Sequence, residues 1–161
     1  MNDFVGVQAL KAKHIEQVAL FDSWSLDRKW GEFHRNHYDW WAFPIDKPSS
    51  FGFKYTVTAE VLAELQNDAE FIGSLQKAAK LLFLSWGWDI HKRDFVDDPD
   101  PDQAWADWPI RLAKCNRSLK LFELSELVES TVIYSTWLLD RGESFSYNGR
   151  DLYPEIIEPL S

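Results

Sequence analysis

Asp68–Gly87, DAEFIGSLQKAAKLLFLSWG, decides how the rest of the chain is read. Phe71, Ile72, Leu75, Ala79, Leu82 and Trp86 recur mostly at three- and four-residue steps, which lines them along one stripe of a helix. Asp68 stands where a carboxylate can accept from the free N–H groups of a first turn, and Gly87 stands where a left-handed residue closes a last one. Such a stripe must be covered, and its neighbours repeat the same spacing. Upstream, Thr58 caps a shorter segment carrying Val61, Leu62 and Leu65, and Leu10, His14, Val18 and Phe21 share one face of an earlier helix. Downstream, a helix resumes near Trp108 and Pro109, with Leu112, Cys115, Leu119 and Phe122 on its apolar side. Ser125 can cap the last long helix, whose apolar residues from Leu127 to Leu139 surround most of the circumference, as in a central buried element closed by Gly142. Asn148 and Gly149, between Phe145, Tyr147 and Leu152, Tyr153, are a hairpin-turn pair. The expectation is a mainly α fold: one compact domain over residues 1–161, about five helices and a small C-terminal β-hairpin.

Composition bounds the function. Seventeen basic against twenty-six acidic residues give a net charge of −9, which opposes long-range attraction to a phosphate backbone, so nucleic acid is not an expected partner. Cys115 stands alone, which excludes an internal disulfide and a cysteine metal cluster. No apolar run approaches the length of a membrane span, and MNDFVGVQALKAK does not read as a leader peptide, so a soluble cytoplasmic protein is expected. Neither G-x-G-x-x-G, a P-loop nor G-x-S-x-G occurs, and no cofactor is implied. The aromatic content of 16%, with nine Trp, exceeds what packing alone usually requires, and Trp seldom disappears completely from the surface.

That excess is concentrated in Trp30–Pro44, WGEFHRNHYDWWAFP. On one helix capped by Ser25 and stopped by Pro44, Trp30, Phe33, His37 and either Trp40 or Trp41 share a face, which is either core or the wall of a groove. The following segment, with Pro48, Ser49, Ser50 and Gly52 and then the β-prone run Phe53–Val57, reads as a mobile loop beside that wall. Trp30, His37, Trp40, Trp41, Phe51 and Phe53 are therefore the candidate binding residues.

Three polar constellations compete with this reading. His34, His37 and Asp39, joined by His91 with Asp89 or Asp94, would supply ligands for a divalent metal and a general base, although 34 and 37 share a helix face that 39 does not. The six aspartates from Asp94 to Asp107 include an alternating run at 98, 100 and 102, but Gln103 and Pro109 occupy positions where a calcium loop needs Gly and Glu, leaving a solvated acidic loop. Arg111, Lys114, Arg117 and Lys120 fall on the polar surface of one helix, where they can pair with those aspartates or hold an anionic partner.

His37, Trp40, Trp41, Phe43 and Pro44, followed by Pro48, Ser49 and the helix ending in Trp86 and Gly87, resemble the conserved region of opioid growth factor receptor proteins, in which an aromatic segment ends in Trp-x-Phe-Pro. Trp41-Ala42-Phe43-Pro44 matches that pattern. The resemblance spans residues 30–90 and does not extend to 94–161; it implies a mainly helical module and transfers no catalytic residue. The leading expectation is a binding or regulatory module that engages a protein partner, or its own copy, through aromatic anchors. The alternatives are a metal-dependent enzyme using His34, His37, Asp39 and His91, and a small-molecule-binding protein with His37 as the orienting group.

Overall fold

A computed structural model describes residues 3–160. In chain order its elements are α1 (Val7–Leu26), α2 (Trp30–Arg35), α3 (Asp39–Ala42), α4 (Ala59–Gln66), α5 (Ala69–Ser85), β1 (Trp88–Asp89), β2 (Asp94–Phe95), α6 (Pro109–Leu121), α7 (Ser125–Asp140), β3 (Ser146–Tyr147), β4 (Arg150–Asp151) and α8 (Tyr153–Ile157). The fold is mainly α, with two small antiparallel strand pairs. None of the described helices is long and apolar enough to cross a membrane.

The α5 helix forms as its sequence requires. Asp68 accepts from the Phe71 N–H at 3.1 Å, and Phe71, Leu75, Ala78, Ala79, Leu82 and Phe83 are fully buried. Its stripe packs against α1, which contributes Leu10, His14 and Phe21, and against α4. At the far end the Gly87 N–H donates to Leu84 O with φ +80°, and a Cβ at this glycine would lie 2.8 Å from Gln103 O. Close approach of the 97–107 loop therefore depends on that glycine.

The aromatic stretch is not one helix. Ser25 lies inside α1, which runs on to Leu26, and the segment breaks at Asn36–Tyr38 into two short helices. Buried Arg111 on α6 explains the break. Its guanidinium donates from Nε to Asp39 Oδ1 (2.7 Å), from Nη1 to Phe33 O (2.5 Å) and from Nη2 to Asn36 O (2.7 Å), and it stacks over the Tyr38 and Trp108 rings. Two carbonyls that a continuous helix would have used internally are turned to the guanidinium fork instead. The Tyr38 hydroxyl donates to Phe33 O as well, at 2.5 Å.

The charged segments depart from expectation in the same way. None of the four cations of α6 pairs with the six aspartates. Arg111 holds Asp39, Arg117 grips Asp46 with two hydrogen bonds, and Lys120 donates to the carbonyls of Glu155, Ile156 and Glu158, closing the end of α8. The acidic loop is docked rather than merely solvated. Asp100 accepts two hydrogen bonds from Arg28 and a third from the Trp30 indole, and buried Gln103 donates to Leu84 O while accepting from Asp100 N.

The α7 helix is peripheral rather than central. Ser130, Thr131 and Ser135 point inward with Leu127, Tyr134 and Leu138, while Ile133 and Leu139 remain about 40% exposed. The small hydroxyls serve buried polar groups: Ser130 accepts from the Trp88 indole, and Thr131 accepts from the Asn116 amide. The C-terminal hairpin forms as expected, with Asn148 and Gly149 both at positive φ in the turn joining β3 to β4.

Candidate functional site

Two consecutive tryptophans on α3 divide their work between core and surface. Trp41 is anchored to α1: its indole N–H donates to Gln17 Oε1 (3.0 Å), and its carbonyl accepts from His14 Nδ1 (3.0 Å). Trp40 packs with Lys114, and both indole rings reach Phe51 on the loop that follows. The half-buried rings of Trp40 and Trp41 meet with centroids 5.7 Å apart, and Phe51 stands edge-on to Trp40 (4.8 Å) and to Tyr55 (5.7 Å). Edge-to-face geometry of this kind holds rings in fixed mutual orientation. Phe51 is 42% exposed and Phe53 is 50% exposed, so the cluster ends in an open aromatic surface.

The loop that carries Phe51 and Phe53 is fastened along its length. Val57 N donates to Ile45 O and the Thr56 hydroxyl to Lys47 O, which closes its base. Ser49 and Gly52 exchange two backbone hydrogen bonds around the Ser50–Phe51 turn, with Gly52 at φ +63°, and the N-terminal segment adds Val5 N to Lys54 O. The β-prone run Phe53–Val57 forms no strand, because its N–H groups bond within the loop and to Ile45 rather than along a neighbouring strand. Aromatic side chains on a pinned backbone lose less freedom on binding than those of an unstructured loop.

Lysines from three parts of the chain surround the rings. Lys13 of α1 lies 4.2 Å from the Trp41 ring centroid, Lys114 of α6 lies 5.1 Å from that of Trp40, and Lys54 lies 5.6 Å from that of Tyr55. Lys47 and Lys114 share a narrow cleft of about 10 Å³ with Asp39, Trp40, Tyr55 and Thr56. Burial holds the Lys114 ammonium below its ordinary pKa, partly offset by Asp39.

The residues singled out in the sequence separate into groups. Trp40, Trp41 and Phe51 come together on this surface, and exposed Phe53 follows two residues later on the same loop without a ring contact to them among the described residues. Trp30 does not belong to it: it is 3% exposed, packed against the Phe33 ring and hydrogen-bonded to Asp100. His37 falls in the α2–α3 break, where it is exposed and edge-on to Trp108, so it neither shares a face with Trp30 nor orients a ligand between the tryptophans. Tyr55, Lys13, Lys47 and Lys54 were missed by sequence reasoning, since they enter from segments whose proximity depends on the tertiary fold.

The metal constellation does not assemble. Among the described residues no group of three His, Cys, Asp or Glu side chains converges to hold an ion. Asp39 is committed to Arg111, His34 is half-buried with burial depressing its pKa, and His91 is exposed in the β1–β2 turn, where the Asp89 carboxylate accepts from the backbone N–H groups of 91 and 92. Cys115 is fully buried, and burial pushes its thiol well above the ordinary range, which disfavours the nucleophilic thiolate.

A larger concavity of about 780 Å³ lies between α7 and the C-terminal tail, lined by Leu124, Val128, Val132, Ile133, Ile157 and Leu160 among others. Its cations are already engaged, Lys120 by three carbonyls and Arg93 by Glu129 and Glu126 O. It offers apolar contact without free positive charge at its rim, and the aromatic surface offers both. Comparison with protein families, with characterised proteins and with solved structures yields no match to this chain.

Proposed function

We propose that this protein is a non-catalytic binding module that engages a protein partner through the aromatic platform of Trp40, Trp41, Phe51 and Phe53. The observation that carries this reading is the contiguity of the exposed rings. A single exposed Phe is ordinary, whereas two half-buried tryptophans of α3 in contact with exposed Phe51 of a fastened loop, backed by buried Tyr55, have the composition of an interface centre. Trp41-Ala42-Phe43-Pro44, the segment that resembles the opioid growth factor receptor region, supplies the inner edge of the platform, with Ala42, Phe43 and Pro44 buried beneath it.

The test is site-specific photo-crosslinking in the native host, with benzoylphenylalanine in place of Phe53 or, as a control, of exposed Lys80 on α5. A protein adduct formed from position 53 and not from position 80 supports the reading. An adduct only with a second copy identifies self-association as the function of the platform. Equal labelling at both positions, or no adduct from either, counts against a platform-directed partner.

A further inference from the structure

The chemistry of the partner can be read from the charge that the fold leaves uncommitted. All seven arginines form ion pairs with carboxylates: Arg28, Arg35, Arg93, Arg111, Arg117, Arg141 and Arg150 each have an acidic neighbour within 4 Å. Uncommitted positive charge therefore resides in lysines. Among the described residues eight lysines form no ion pair: Lys120 is held by carbonyls, Lys29, Lys80 and Lys92 are exposed on other segments, and Lys13, Lys47, Lys54 and Lys114 gather at the platform although they belong to α1, the α3–α4 loop and α6. Two acids in the area are spoken for, Asp39 by Arg111 and Asp46 by Arg117, while Asp3 lies beside Gly52 at the margin.

A protein of net charge −9 thus presents a lysine-ringed aromatic surface. A ring face holds an ammonium more weakly than a carboxylate does, so an arriving carboxylate gains charge-assisted hydrogen bonds without breaking an existing ion pair. Apolar side chains of the same partner gain the exposed faces of Phe51 and Phe53.

We infer that the platform binds a short acidic segment of a partner protein, its aromatic or aliphatic anchor seated against Trp40, Phe51 and Phe53 and its carboxylates beside Lys13, Lys47, Lys54 and Lys114. This inference rests on the binding-module reading above. A single-stranded nucleic acid would also stack on rings and meet lysines. It is disfavoured because a polyphosphate extends beyond the patch into the field of an acidic protein, and because the arginines that grip phosphate with two parallel bonds are already paired. A short acidic peptide keeps its charge within the roughly 8 Å over which salt leaves attraction effective.

The experiment selects random dodecapeptides displayed on phage against the wild-type protein. Enriched peptides are then measured against three proteins: wild type, the double variant Phe51→Ser, Phe53→Ser and the double variant Lys13→Glu, Lys54→Glu. All four substituted positions are exposed, and unchanged far-ultraviolet dichroism verifies the fold. The expected peptides carry net negative charge around a bulky apolar residue and lose binding to the aromatic variant. They also bind the lysine variant about tenfold more weakly or worse, and weaken as salt rises. Peptides that require Phe51 and Phe53 but are neutral or basic overturn the acidic-segment inference and leave the platform reading standing. If no enriched peptide depends on Phe51 and Phe53, both fall. Oligouridine or phosphatidylserine vesicles are probed in parallel, and platform-dependent binding of either without acidic peptides overturns the inference in favour of that ligand.

Discussion

Arg111 Nε stands 2.7 Å from Asp39 Oδ1, with the two side chains 1% and 10% exposed, and this pair joins α6 to the segment carrying both tryptophans of the platform. The guanidinium also satisfies two carbonyls, so removing it strands a buried carboxylate and the Asn36 carbonyl and leaves Phe33 O with the Tyr38 hydroxyl alone. Arg111→Met is expected to lower the unfolding free energy by about 4 kcal/mol, the range found when one member of a buried pair is deleted. Arg111→Lys recovers only part of that loss, because a compact ammonium cannot reproduce a planar fork directed at three acceptors. Urea denaturation of both variants checks the prediction; a wild-type midpoint for Arg111→Met would refute the structural role given to the pair.

His14 sets a pH dependence. It is fully buried between α5 and α3, its ring 4.8 Å from that of Phe71, and burial pushes its pKa from 6.5 down to about 4 against the opposing carbonyls of Trp41, Ala42 and Ser74. Below its ordinary pKa the unfolded chain takes up a proton that the folded chain refuses. Stability from this group is therefore complete above about pH 6.5 and lost as pH falls toward 4, by about 3 kcal/mol in total. The carboxylates whose pKa values are lowered by their partners, such as half-buried Asp68 beside Lys11, lose their contribution only at more acid pH. His14→Leu is expected to be less stable at neutral pH, since the Trp41 carbonyl loses its donor, yet to fall less steeply between pH 6.5 and 4, where the slope that remains comes from half-buried His34, whose pKa burial also lowers. Denaturant midpoints across that window decide it; an undiminished slope in the variant would assign the titration elsewhere.

Gly87 ties α5 to the acidic loop through backbone alone. With φ at +80° and Gln103 O only 2.8 Å from where a Cβ would sit, Gly87→Ala meets both a conformational penalty and a clash with a carbonyl that cannot rotate away. The expected cost is about 2 kcal/mol, accompanied by faster amide exchange at Asp100 and Gln103, whose mutual hydrogen bonds depend on the loop's seat. Gly73 provides the contrast. It lies within α5 with open space around its Cβ position, so Gly73→Ala is expected to be stabilising by about 1 kcal/mol.

Periodicity and capping chemistry are local, and where they alone determine an element the sequence was readable. Asp68, Thr58, Pro109, Gly142 and the Asn148–Gly149 pair each mark the element that forms. Failures occur where a distant side chain overrides the local pattern. Nothing within Trp30–Pro44 announces that Arg111, more than seventy residues away, will divert the carbonyls of Phe33 and Asn36 and split one helix into two. The same long-range event exposes His37 while His14, which reads as an ordinary helix-face residue, becomes a buried histidine of the core. The partial exposure of Trp40, Trp41, Phe51 and Phe53 is legible from composition, since large rings around a proline- and glycine-containing loop seldom bury completely. The lysine ring is not, because α1, the loop and α6 meet only in the folded chain.

The platform itself yields a separation between binding and stability. Phe53 has half its surface in water and no ring partner among the described residues, so Phe53→Ser is expected to change the unfolding free energy by less than about 0.5 kcal/mol. Phe51 has edge contacts with Trp40 and Tyr55, and Phe51→Ser should cost about 1 kcal/mol. Trp41→Ala differs in kind. It deletes the ring that covers α1, frees the Gln17 amide oxygen and removes the surface under Lys13, for a loss of about 2 kcal/mol or more from its buried half alone. Partner binding is read by the crosslinking yield from a probe placed at Phe51 or Phe53 in turn. Substitution of either abolishes most of the adduct formed from the other while the protein stays folded. Retention of full yield in both single variants would show that these rings are bystanders and that their exposure carries no recognition.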